Sequence, residues 1–392
     1  MARNLTIAVL VIVALALAGM AVLWPSSDDV PKGLDPFGGE GVSTVDATVN
    51  GVESFDCNSG GIGPDSIPQV DGDCANVTAI LDDGGDTAEF VLDPTRYVGA
   101  GMSEGDEITL VAIEPPGQEP SYEFRDYRRG MPLLALTAAF AVMVALVGRW
   151  RGVFALLGIG VTMVALIRFV MPALLAGESP LAVAVVGSTV IMIAVLYLAH
   201  GISIRTTSAL FGTLFGIAFT AVAGLLATDW TSLTGVGSEE DHLLVATAPD
   251  LRLSGVVAAS MVIAGLGVLN DVTVTQASIV WEMRALQPAA RSVQLFTAAM
   301  RIGRDHIASS VYTLVFAYAG SAMTVLLLIT AYQRGLVEVF TAEQIAQEVV
   351  RTLVGAIGLV LAVPATTAFA VWLAPPPSET VPDPAPSHAD RS

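Results

Sequence analysis

The sequence predicts a polytopic α-helical membrane protein with about eight transmembrane helices and a small all-β extracytoplasmic domain inserted after the first helix. Three observations carry this prediction. Of the 392 residues, 53% are hydrophobic and only 14% charged, against about 25% charged in an ordinary soluble domain. Uncharged apolar runs recur at lengths near the ~20 residues that a helix rising 1.5 Å per residue needs to cross ~30 Å of hydrocarbon. The net charge of −19 is unevenly spread: residues 26 to 120 hold 20 of the 37 acidic side chains against Lys32 and Arg96, a balance of −18, and the rest is nearly neutral. The chain therefore joins a strongly acidic, water-facing module to an apolar one. Acidity of this kind excludes nucleic-acid binding through phosphate contacts, which need Lys and Arg.

The elements follow in order. Residues 1–24 form an N-terminal anchor: Arg3 precedes an apolar run from Leu5 to Leu23, longer than the hydrophobic stretch of a signal peptide. Residues 25–125 form the acidic β-domain. There the pattern changes to short β-branched runs at 45–49, 75–81, 88–92 and 107–111, punctuated by Gly- and Asp-rich turns. This reads as a barrel or sandwich of about five strands. Both cysteines, Cys57 and Cys74, lie in this module, and in an oxidising compartment such a pair predicts one disulfide. The module has no histidine to complete a metal site. Residues 126–374 form a seven-helix membrane domain, with helices expected at 131–148, 152–174, 181–199, 207–227, 253–281, 307–330 and 350–373. Residues 375–392, rich in proline, form a disordered tail.

An even number of helices places both termini on one side. The connections bearing Arg149 and Arg151, Arg205, and Arg284, Arg291, Arg301 and Arg304 mark that side as cytoplasmic by the excess of positive charge on inner loops. Residues 25–125 are then extracytoplasmic and the membrane is the bacterial plasma membrane. Arg125, Arg128 and Arg129 break the pattern just before the second helix and are expected to meet either outer-leaflet phosphates or the acidic module.

The chemistry concentrates on the helix at 253–281. Asp271 lies 11 residues before Glu282, roughly 16 Å along a helix, and so near mid-membrane, where a carboxylate costs roughly 2.5–3.5 kcal/mol and marks a candidate functional site. Ser260, Ala264, Gly267, Asp271, Thr275, Ser278 and Glu282 share one stripe, with Val262, Leu266, Leu269 and Ile279 away from it. The stripe either lets neighbouring helices approach closely or lines a wet path in which Asp271 exchanges a proton or cation. Matching small residues occur at Ser310, Thr313, Ala317, Gly320 and Thr324, and at Gly212, Gly216, Thr220 and Gly224, so three helices are expected to pack around Asp271. Asn270, Thr273, Thr275, Gln276, Ser278 and Glu282 complete the candidate set. Arg168 is a secondary candidate, expected to snorkel rather than to pair with Asp271. Asp305 and His306 are expected to open the next helix, with Asp305 matching its dipole and His306 a candidate relay. No Walker loop, H-E-x-x-H pair or G-x-S-x-G elbow occurs, so neither an enzyme nor a cofactor is expected.

The run from Gly267 to Ser278, then Trp281-Glu282, then Gly303-Arg304-Asp305-His306-Ile307-Ala308-Ser309, resembles the YibE/F family of bacterial multi-pass membrane proteins over about 120 to 373. That resemblance implies a permease-like protein of undefined substrate. A fainter likeness links Gly265–Glu282 to the central helix of RND-type and SecD/SecF transporters, where a mid-helix acid serves proton coupling. This sequence carries Asn270 where many RND pumps have a second Asp. The reading is a permease or secondary transporter, proton-coupled through Asp271, whose partners are the lipid bilayer, an unidentified small solute or ion, and a second copy or related membrane subunit. The alternative is a non-transporting accessory protein whose acidic β-domain binds an envelope partner.

Overall fold

The computed structural model describes residues 2–26, 41–57, 61–62, 68–69, 72–115, 117–331 and 335–375. The tail expected to be disordered lies, from residue 376 onward, outside the described residues. The chain divides into two compact units, Lys32–Met143 and Met1–Pro31 with Val144–Ser392.

In the first unit β1 (Val42–Asp56), β2 (Gly61–Ile62), β3 (Pro68–Gln69), β4 (Asp73–Leu81), β5 (Thr87–Leu92), β6 (Glu107–Ile113) and β7 (Ser121–Tyr127) follow α1 (Ala2–Val22) in sequence, with α2 (Pro94–Ala100) between β5 and β6. Five strands make one antiparallel sheet in the order β5-β4-β1-β6-β7. Alternation sets its core: Val77, Ala79 and Leu81 of β4, Ala88, Phe90 and Leu92 of β5, and Ile108 and Leu110 of β6 are buried together with Ala47 and Val49 of β1. The sheet curls, for Phe90 on one edge strand stacks on Phe124 of the other at 6.3 Å between ring centroids. Cys57 and Cys74 are joined in the expected disulfide, with Cα atoms 5.6 Å apart. Asp93 caps α2 by accepting from the backbone N–H of Arg96 at 2.9 Å, and Gly101 ends it at φ +60°. Of the three arginines that precede the second apolar run, Arg128 reaches Asp46, Asp82 and Glu107, and Arg129 pairs with Asp126. The Arg129 guanidinium holds the Asp126 carboxyl below the usual carboxylate range.

The apolar chain resumes at α3 (Gly130–Ala165), which passes through one π-type turn (Leu166–Val170) into α4 (Met171–Leu175). Helical geometry breaks at Arg149, whose φ is +53° and ψ −138°, inside the gap expected between residues 148 and 152. Then come α5 (Pro180–His200), α6 (Ile204–Trp230), α7 (Glu239–Thr247), α8 (Leu253–Leu286), α9 (Ser292–Ser321), α10 (Met323–Ala331), α11 (Leu336–Thr341) and α12 (Glu343–Leu373). Among the described residues six helical segments are long and apolar enough to cross a membrane: α1, the Gly130–Leu175 segment, α5, α6, α8 and α12. The helix expected over 307–330 starts earlier, at Ser292, and stops at Ser321, before α10. Asp305 and His306 therefore lie inside α9 and do not open it, so the capping role expected of Asp305 is overturned.

The second unit is built by large side chains entering gaps left by glycines. On α6, Gly212 faces Thr366 of α12, Gly216 faces Leu269 of α8 and Ala362 of α12, and Gly224 faces Met261 of α8. A methyl group at Gly216 would come within 2.6 Å of Leu269. Val262, Leu266 and Leu269 of α8 are thereby buried with Leu210 and Ile217 of α6 and Ala362 of α12, the close packing that drives helix association where water does not. α1 joins through Gly19 against Val186 of α5 and Trp24 stacked on Phe169.

Candidate functional site

Within this packing, α8 turns its large apolar side chains inward because α6 offers glycines to receive them. The face of small residues is consequently turned out: Ala264, Gly267, Asp271 and Glu282 are exposed, and Ser260, Thr275 and Ser278 are half-buried. This reverses the expected arrangement of three helices enclosing Asp271. The matching stripe after it behaves alike, with Ser310 buried but Thr313, Ala317, Gly320 and Thr324 exposed. Only the α6 glycines pack as expected, and their partners include α12, which the sequence pattern had not marked.

The candidate residues divide into two groups by face. Inside, Thr273 and Gln276 anchor a buried polar node. Thr273 Oγ1 shares a hydrogen bond of 2.7 Å with Thr213 Oγ1 of α6. Gln276, 1% exposed, donates from Nε2 to Thr367 Oγ1 of α12 at 2.7 Å and to the Ala299 carbonyl of α9 at 3.2 Å. Gly303 of α9 leaves the space this amide fills, since a Cβ there would lie 2.8 Å from Gln276 Oε1. Buried amides and hydroxyls so far from water hold their place only when bonded, so this node fixes how α8, α9 and α12 align. Thr213 and Thr367 were not singled out from the sequence. Threonines are common in apolar helices, and nothing but tertiary placement distinguishes these two.

Outside, Asp271 meets His306. The Oδ2 of Asp271 lies 3.6 Å from Nε2 of His306, with side-chain exposures of 67% and 30%. That is an ion-pair distance once the imidazole is protonated, and a shift of about half an ångström would make it a hydrogen bond. The Nε2 of His306 and the neighbouring Asn270 Oδ1 are both buried atoms without a hydrogen-bond partner. Asp271 sits nineteenth in a 34-residue helix, so the pair lies well inside a segment able to span the bilayer. Arg168 is exposed and makes no ion pair with Asp271. Glu282 pairs with Arg205 at the start of α6, 3.7 Å away, and Ser278 donates to the Val274 carbonyl of its own helix. Trp281 keeps a buried, unpartnered indole N–H.

At the opposite end of α6 and α8 lies a cavity of about 720 Å³, whose lining includes Ser179, Thr228, Asp229, Thr234, Arg252 and Ser254. The Thr228 hydroxyl there is buried and has no partner. The arrangement thus offers a mouth of mixed polar and apolar lining at one end of α8 and, further along it, a carboxylate and an imidazole in contact on an outward face.

A protein-family model described as YibE/F-like protein matches residues 136–376. No curated protein and no solved structure matches the chain.

Proposed function

The chain belongs to the YibE/F-like protein family, and from that premise we propose that this membrane protein is a permease that moves a small solute or ion, with Asp271 and His306 as its proton-coupling pair. One observation carries the reading: a carboxylate well inside a helix long and apolar enough to cross a membrane lies 3.6 Å from an imidazole on the neighbouring helix. A carboxylate at that depth costs roughly 2.5–3.5 kcal/mol, and a structural role does not require it, since the buried node at Thr273 and Gln276 already holds the helices together. The pair can hold one proton between two groups, which suits uptake from one side and release to the other. The cavity at the far end of α6 and α8 is where a solute would first meet the protein. In this reading both termini face the bacterial cytoplasm and residues 25–125 lie outside the plasma membrane.

The test is flux. Full-length protein in proteoliposomes should acidify or alkalinise the lumen in response to an imposed solute gradient, and Asp271→Asn should reduce that proton movement by about tenfold or more, in line with losses on removing a proton-transfer group. His306→Gln should shift the pH dependence of flux while Asp271 remains in place. Undiminished flux in Asp271→Asn sinks the assignment and leaves the β-domain as the working part of a tethered accessory protein.

A further inference from the structure

The exposed surface of the helical unit is of two kinds. On α1 and α3 many exposed residues are large and apolar, such as Leu10, Leu15, Val147, Leu157 and Val164, a surface made for lipid tails. The face shared by α8 and α9 is different. Gln276 reaches Ala299 and Asp271 reaches His306, so the two helices run antiparallel. Arg301, Arg304 and Asp305, all exposed, therefore lie at depths between Gln276 and Asp271. Further along α8, past Asp271, Ala264 and Gly267 leave an open, shallow strip, with nothing within 4 Å of where a Cβ on Gly267 would stand.

Hydrocarbon is a poor cover for such a face. Asp271, Asp305, Arg301 and Arg304 would each be costly to turn to lipid. The face carries acids and bases in near balance, and a two-fold axis across it would set the acids of one chain against the bases of another. Its small residues would let two helices approach closely. We propose that this α8–α9 face is an interface between two copies of the chain, so that the Asp271–His306 pair is enclosed only in the assembled dimer. The proposal concerns assembly and stands whether or not the protein carries a solute.

Disulfide trapping tests it in native membranes. The two native cysteines are bonded to each other, so an introduced cysteine is the only free thiol. Ala264→Cys and Gly267→Cys add little volume on an open face, and Val147→Cys, 80% exposed on the apolar side, serves as the control. With two differently tagged chains co-expressed and oxidised by copper phenanthroline, at least one of the two α8 variants should give a two-chain band bearing both tags, several-fold stronger than the control. Introducing Arg301→Glu and Arg304→Glu together should remove that band by making both faces acidic. Equal yields at positions 267, 264 and 147, or no two-tag band at either α8 position, would overturn the interface.

Discussion

Gln276 shows how one side chain can decide a helix arrangement. Its amide touches α9 and α12 at once from α8, and its burial leaves no water to replace either bond. Gln276→Leu should lower the unfolding free energy by on the order of 1–3 kcal/mol, the cost of a lost buried bond and an unsatisfied carbonyl, read as a lower melting temperature of the protein in lipid nanodiscs. An unchanged melting temperature would mean that Ala299 and Thr367 find other partners. Asp271 was identifiable from the sequence because a carboxylate among apolar residues is conspicuous. Its partner was not, because His306 comes into reach only through the α8–α9 packing. The direction in which Asp271 points was likewise hidden. Small residues permit close approach on either face of a helix, and here the neighbour on α6 had already supplied the gaps.

At the scale of elements, periodicity located the apolar segments well and their ends less well. The expected helices at 181–199, 207–227, 253–281 and 350–373 each lie within α5, α6, α8 and α12. α9 was placed too late because its first half carries Arg301, Arg304 and Asp305, and charge on a helix reads as a loop when hydropathy is the only guide. The break in α3 falls at Arg149, a non-glycine residue with positive φ. Arg149→Gly should therefore raise the melting temperature, by about 1 kcal/mol of stability if backbone strain dominates. A drop would show that the guanidinium contributes more than the backbone loses. In the sheet, the runs at 75–81, 88–92 and 107–111 became β4, β5 and β6, while β7 passed unnoticed because, although Tyr122 and Phe124 alternate with polar residues, it contains no β-branched side chain.

For the whole molecule, the separation into two units follows from solvent preference. The acidic sheet unit depends on its own small core and on the Cys57–Cys74 bond, which closes a sequence separation of 17. Reduction should destabilise that unit by on the order of 3 kcal/mol and leave the helical unit's melting unchanged. Two transitions that separate on adding reductant, followed by β-sheet and helical circular dichroism, would show it; a single transition moving as one would contradict it.

Composition and spacing alone determined the membrane class, the acidic sheet with its disulfide and the prominence of Asp271, and the motifs between Gly267 and Ser309 carried the family resemblance, because each is written in local chemistry: apolar length, charge count, alternation and one misplaced carboxylate. Which face of α8 is buried, that α12 receives Gln276, and that His306 stands beside Asp271 were decided only by the tertiary structure. Those depend on how glycines on one helix admit large side chains from another, and no helix read by itself contains the shape of its neighbour.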